Sequence, residues 1–150
     1  MKKYTIYLLA IITLFAVSCN NDCSENVDAP ESPSIFVNFI DSSSNHNVFT
    51  DSIYFAGETT VKNYLEKDIS FSILDSLNVM HVVLENEVIL NDTIFVTLNN
   101  SELATTKEIK ILYATEKKEE ECYTLYKTTN VAVLDYENEL LNDIYQIKVD

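Results

Sequence analysis

Arginine and tryptophan are missing from this 150-residue chain, glycine occurs once, and proline and histidine occur twice each. Each shortage closes off a kind of chemistry. A phosphate-cradling loop needs several glycines so that backbone amides can approach the anion, and Gly57 stands alone. A polynucleotide partner needs a basic footprint. Here ten lysines face 24 acids, a formal charge of −14, so nucleic acid is not an expected partner. His46 lies in a Ser/Asn turn and His81 in an apolar stretch, which leaves little material for a zinc site. None of the 12 serines sits in a Gly-x-Ser-x-Gly turn. No catalytic residue, no metal site and no cofactor is expected.

What is present begins at the N-terminus. Lys2 and Lys3 precede an uncharged, mostly apolar run, Tyr4 to Val17, which Ser18-Cys19 ends abruptly. That is the layout of a secretory signal. The run is 14 residues long, short of the about 20 that a helix needs to cross a hydrocarbon core of roughly 30 Å, so a permanent transmembrane helix is the weaker reading. Residues 1–18 are read as a signal peptide, 19–33 as a tether and 34–150 as the folded domain. Removing the first 18 residues removes two lysines and no acids, leaving 8 lysines against 24 acids, or −16. Such an acidic surface suits solubility outside the cell and could attract cations.

The segment Phe15-Ala16-Val17-Ser18-Cys19 resembles the bacterial lipobox, although Ala16 stands where leucine is more usual. The resemblance implies cleavage before Cys19 and lipidation of its thiol. A plain secretory signal with an incidental cysteine is the competing reading. The lipidated family carries three acyl chains, and two or more make an anchor stable. Residue 20 is Asn rather than the Asp that retains enterobacterial lipoproteins at the inner membrane, so the resemblance favours the outer membrane. Asp22 and Glu25 are compatible with either face of it.

Asn20 to Pro33 is polar, acidic and proline-bearing, the composition of a flexible tether. From Ser34 the pattern changes to period two. Strands are predicted over 34–40, 52–56, 59–65, 68–74, 78–84, 88–90, 93–98, 108–115, 122–134 and 143–150. Turns are predicted at 41–47 and 91–92, a loop at 99–106 and a charged hairpin tip at 116–121. Residues 136–142 read as a polar turn or a short helical turn. Short strands at regular spacing with no long amphipathic helix predict an all-β fold, an antiparallel sandwich of immunoglobulin-like or transthyretin-like Greek-key type. The layout resembles small single-domain lipoproteins of unknown function in Bacteroidota. Cys19, the nearby Cys23 and the late Glu121-Cys122-Tyr123 carry that resemblance.

Three cysteines become an even pair once lipid occupies Cys19. In an oxidising compartment Cys23 and Cys122 are then expected to form a disulfide. In the chain-entropy model a loop of about 100 residues contributes roughly 4 to 5 kcal/mol, an upper figure. The rival is a buried Cys122 with Cys23 free or paired between molecules. Asp51-Ser52-Ile53, Asp75-Ser76-Leu77 and Asp92-Thr93-Ile94 look like the Asp-Ser/Thr-apolar acceptors of secreted Bacteroidota proteins, which makes Ser52, Ser76 and Thr93 candidate O-glycosylation sites. The competing reading makes them turn-to-strand junctions.

The acids Asp135, Glu137, Glu139 and Asp143 are the densest group, but they lack calcium-loop spacing. Tyr54, Tyr64, Tyr123, Tyr126 and Tyr136 could line a protein- or glycan-binding face, with half-buried edge packing the plainer reading. The leading expectation is a non-catalytic binding or accessory module for a protein or glycan, joined to the membrane by its lipid. A structural envelope protein without a diffusible ligand is the alternative. A hydrolase on a β-sandwich comes third, because its catalytic groups would have to come from scattered residues.

Overall fold

In strand β1 (Ser34–Asp41), Ile35, Val37 and Phe39 are buried while Phe36, Asn38 and Ile40 are only partly covered. A strand alternates its side chains between two faces, so this pattern needs a second layer on one side. The computed structural model, which describes residues 32–74, 76–120 and 123–150, supplies that layer. The further strands among the described residues are β2 (Thr60–Asn63), β3 (Phe71–Leu74), β4 (Val79–Val83), β5 (Ile89–Asn100), β6 (Thr105–Glu119), β7 (Thr124–Leu134), β8 (Asn138–Leu141) and β9 (Ile144–Val149). One sheet has the order β3-β4-β1-β9-β8 and the other β2-β5-β6-β7. The fold is an all-β sandwich, as the alternation predicts. Six of its strand pairs are antiparallel, and β1 and β9 run parallel, with Val37 opposite Tyr145 and Phe39 opposite Ile147.

The inward residues of both sheets form one apolar core. Ile35, Val37 and Phe39 of β1 meet Ile94, Val96 and Leu98 of β5 and Ile109 and Ile111 of β6 in it. At about 25 cal/mol per Å2 of apolar surface removed from water, this layer is the main source of stability.

Several local expectations differ from the structure. Residues 52–56 form turns, not a strand, and lead into one turn of 3-10 helix, Ala56–Glu58. The predicted strands 88–90 and 93–98 are one strand. Asn91-Asp92 is not a turn but part of a bulge, where Leu90 and Asn91 face the single residue Ala114 between the pairs Ile89–Thr115 and Asp92–Tyr113. The loop predicted at 99–106 shrinks to residues 101–104, because Asn100 pairs with Thr105. Residues 116–119 continue β6 rather than forming a tip. Residues 138–141 form β8, paired with β9 through a two-residue loop, Asn142-Asp143, whose φ angles are 50° and 63°. Two positive φ angles mark the tight turn that matches strand twist. With one glycine in the chain, Asn and Asp take most of the left-handed positions, Asn45, Asn78, Asn130 and Asp135 among them.

The loop after β1 closes one end of the sandwich. Val48 is fully buried and Tyr54 nearly so. Asn47 Nδ2 donates to Asn38 Oδ1 (2.7 Å) and to the carbonyl of Asn78 (2.9 Å), while its Oδ1 accepts from the amides of Phe49 (2.8 Å) and Thr50 (3.1 Å). Buried Asn100 Nδ2 donates to the carbonyls of Ile53 (2.9 Å) and Ser52 (3.3 Å), and its Oδ1 accepts from the Leu103 amide (3.0 Å). The two asparagines therefore tie the loop to both sheets.

Candidate functional site

Register fixes what the outer face of the β3-β4-β1-β9-β8 sheet presents. Phe36 lies opposite His81 on one side and Ile144 on the other, and Ile144 lies opposite Leu141. One apolar row thus crosses four strands. The Phe36 and His81 rings stack with centroids 4.6 Å apart and planes 7° from parallel. The next row is polar, with Asn38 opposite Gln146 and Gln146 opposite Glu139. Ile40, Asn45, Glu137, Asn138, Glu139, Gln146 and Lys148 surround a shallow cavity of about 390 Å3 there. Lys148 Nζ binds Glu137 Oε2 at 3.1 Å. Amide side chains both donate and accept, so the two rows can hold hydroxyls or peptide groups beside an apolar contact.

A larger groove, about 690 Å3, opens at the end where β1 begins. Ser32, Ile35, Leu125, Tyr126, Leu140 and Tyr145 line it, together with Lys118, Lys127, Glu116 and Asp143. The hairpin of β6 and β7 forms one wall. Each of β7 and β8 is the last strand of its sheet. Thr128 Oγ1 donates to the Ser34 carbonyl at 3.0 Å and joins the hairpin to β1.

Buried polar groups near this end are structural. The Tyr113 hydroxyl donates to Asp92 Oδ2 at 3.3 Å, and burial followed by the Asp92 charge holds its phenol well above the usual range. The Thr115 hydroxyl donates to the Glu87 carbonyl and accepts from the Ile89 amide, which satisfies the backbone beside the bulge. Among the described residues no group of three or more His, Cys, Asp or Glu side chains could hold a metal ion. Of the predicted acidic group, Glu137 pairs with Lys148, Glu139 belongs to the outer face, and Asp143 lines the groove.

The five tyrosines do not form one surface. Tyr54 is buried in the closing loop, Tyr64 is exposed after β2, and Tyr123 and Tyr126 belong to the hairpin. The Tyr136 hydroxyl reaches the Glu108 carbonyl at 3.4 Å. His46 Nδ1 lies 3.0 Å from Asp51 Oδ2, far in sequence from the stacked His81. Ser52 and Ser76 are exposed turn residues, whereas Thr93 is half-buried within β5 and its amide donates to Asp92 Oδ1 at 2.6 Å. Cys19, Cys23 and Cys122 lie outside the described residues, as does Asp75 of the second acceptor motif.

No protein-family model, curated protein or solved structure matches this chain. Sequence reasoning missed the apolar-plus-polar face, because its two rows draw on β1, β4 and the β8–β9 hairpin, which are far apart in the chain. The alternation of Phe36 and Asn38 between buried residues was the one available signal.

Proposed function

We propose that the protein is an outer-membrane lipoprotein of the kind found in Bacteroidota, anchored through Cys19. Its sandwich serves as a non-catalytic binding or accessory module for a protein or glycan. The basic start, the 14-residue apolar run and Ser18-Cys19 support the anchor. The observation that carries the binding role is the outer face on which the Phe36, His81, Ile144 and Leu141 row adjoins Asn38, Gln146 and Glu139. Leu141 is 51% exposed there, and an exposed apolar strip rimmed by polar groups is a common mark of an interaction surface.

Two experiments test the reading. Mass spectrometry of native protein should find an acylated N-terminus at Cys19; an intact Met1 would contradict the anchor. Crosslinked envelopes and glycan arrays should then be probed with the wild type, Leu141→Glu and Leu90→Glu. Leu90 is 89% exposed but lies in the other sheet. Capture lost in the Leu141 variant alone supports the face, whereas equal capture by all three removes it.

The same compartment supports two modifications. A Cys23–Cys122 disulfide would form as an envelope disulfide donor accepts two electrons and two protons from the thiols. Ser52 and Ser76, being exposed, are the favoured O-glycan acceptors. Intact mass of protein from its native host, before and after reduction, reads both.

A further inference from the structure

We propose that the outer edge of β7 takes up an extended segment of a partner protein as one more strand of its sheet, over a floor formed by Leu140 and Tyr145. The site adds to the outer face of the other sheet and does not depend on it. Four strands are outermost among the described residues. β2, β3 and β8 are four residues long each, and β7 is eleven. A short edge offers little to pair with, and long edges are usually blunted by proline or by charge. Thr124–Leu134 holds no proline and no acid, and Lys127 is its one charge. In a chain with 24 acids, that makes β7 the described edge best suited to pairing.

Backbone parity fixes which groups are on offer. The Glu120 amide donates to the Tyr123 carbonyl at 2.9 Å, so these two residues form a hydrogen-bonded pair. Such pairs alternate with non-bonded ones along an antiparallel ladder. Lys118–Leu125 and Glu116–Lys127 therefore belong to the bonded set, and Glu119–Thr124, Lys117–Tyr126 and Thr115–Thr128 to the other. In that second set the amide and carbonyl of each β7 residue point away from β6. Thr124, Tyr126 and Thr128 thus present three donor–acceptor pairs at intervals of about 7 Å. An extended peptide repeats its own groups at the same interval. Beyond Thr129 the regular edge stops, because Asn130, with a φ of 52°, and Val131 together face Tyr113 in a bulge.

The floor follows from unequal sheets, five strands facing four. Leu140 lies opposite Tyr145, and Tyr145 opposite the core residue Val37, so both belong to the inner side of the five-stranded sheet. Both line the 690 Å3 groove, and Leu140 is 56% exposed. Thr128 Oγ1 reaches the Ser34 carbonyl of that sheet, so the side chains of Thr124, Tyr126 and Thr128 point towards it. Residues opposite them on an added strand point the same way and cover Leu140 and Tyr145. The segment therefore carries apolar residues at three alternate positions. Between them, the position across from Lys127 takes a carboxylate, since oppositely charged cross-strand pairs are favourable. A second β7 does not fit. Two β7 edges paired antiparallel about a two-fold axis bring both five-stranded sheets to one side, where the β8–β9 hairpin of each needs the space of the other.

The test uses the full-length protein in detergent micelles and a fluorescent heptapeptide, acetyl-Ser-Val-Glu-Val-Thr-Val-Ser-amide, titrated by anisotropy. In antiparallel register its glutamate meets Lys127 and its central valine meets Tyr126. Saturable binding is expected. Methylating the central valine nitrogen removes a bond to β7 and should weaken binding about tenfold, whereas methylating the glutamate nitrogen, which points away from β7, should change it less than about twofold. Tyr126→Pro, compared with Tyr126→Ala, removes an outward donor of β7 and leaves the β6 ladder intact, because proline is tolerated where an edge N–H faces solvent. It should also weaken binding about tenfold. No saturable binding, equal losses from the two methylations, or binding indifferent to the central methyl group would overturn the proposal. The methylated peptides keep the test decisive if Tyr126→Pro does not fold.

Discussion

Where β1 finishes, Phe39, Val48 and Tyr54 are buried and two asparagines hold a covering loop; where β1 begins, Leu140 and Tyr123 are exposed and a 690 Å3 groove separates the hairpin from β8 and β9. The first end is sealed by the domain's own described residues. The second presents strand edges that have no neighbour among the described residues, and a mostly apolar floor. The difference teaches where stability and interaction are located. Packing at the closed end fills the space between the two sheets, and the groove contributes less burial but remains addressable. Mutations should separate the ends by size of effect.

The largest effect is expected at Phe39, which is fully buried and meets Phe49 edge-to-face at 6.1 Å between centroids. Phe39→Ala should cost about 3 to 5 kcal/mol through lost burial and a residual cavity. Urea unfolding of the soluble domain measures it. A cost below about 1 kcal/mol would mean that the closed end collapses around the gap, contrary to close packing.

Asn100→Ala comes next. It leaves the Ser52 and Ile53 carbonyls and the Leu103 amide without their side-chain partner, a loss of about 1 to 3 kcal/mol for buried groups left unpaired. Hydrogen exchange should rise across residues 48–55, because the loop loses its side-chain tie to the second sheet and keeps there the bond from the Phe55 amide to the Asn99 carbonyl. Exchange unchanged there would show that Asn47 and the backbone bonds suffice to hold it.

Alkaline pH probes the groove end through Tyr113. Its phenol is held above the ordinary value of about 10 by burial and then by Asp92. A group whose folded pKa is raised contributes stability that is complete below the unfolded pKa and is lost as pH rises through the folded one. Wild type should therefore lose stability from about pH 10 upward. Tyr113→Phe should lose about 1 kcal/mol at neutral pH, as expected for one hydrogen bond, and show a shallower alkaline decline. Equal alkaline slopes would assign the decline to Tyr54, Tyr136 and Tyr145, whose phenols burial also raises.

Lys67 and Glu85 give a smaller signal. Lys67 Nζ lies 2.7 Å from Glu85 Oε1, and that hydrogen bond holds the Glu85 carboxyl below its usual range. The contribution is present at neutral pH and lost as pH falls through the lowered value. Both groups are exposed, so it should fade in salt. In Lys67→Met the Glu85 titration followed by NMR should move up toward the ordinary range. The smallest effect of all is expected for Leu140→Ala, within about 0.5 kcal/mol for an exposed site. A cost several times larger would show that the groove around Leu140 is filled.

The fold class was legible because period-two alternation needs no tertiary information. Ile35, Val37 and Phe39, and again Ile94, Val96 and Leu98, mark inward faces wherever the strands end up. Turn chemistry was read less well. Asn91-Asp92 carries turn residues yet serves a bulge within β5, and Asn142-Asp143 carries the same residue types and is a true hairpin turn. Asn142 and Asp143 adopt positive φ and Asn91 and Asp92 do not, a difference set by the register of the neighbouring strand and not by residue type. The strand expected at 52–56 failed for a related reason. Ile53 and Phe55 alternate, but their backbone is held by a buried asparagine side chain and by single bonds to the Val48 and Asn99 carbonyls, not by a strand ladder.

By itself the sequence determined the local terms: charge, the apolar run ahead of Cys19, the period of each strand and the scarcity of residues for metal or nucleophilic chemistry. These follow from side-chain identity and spacing alone. Tertiary structure decided which distant strands became neighbours. It placed Phe36 beside His81 and Ile144, ran β1 parallel to β9, and set Ser32 in a groove against the hairpin. Those outcomes depend on how two sheets bury their apolar faces together, a requirement that only the assembled core imposes.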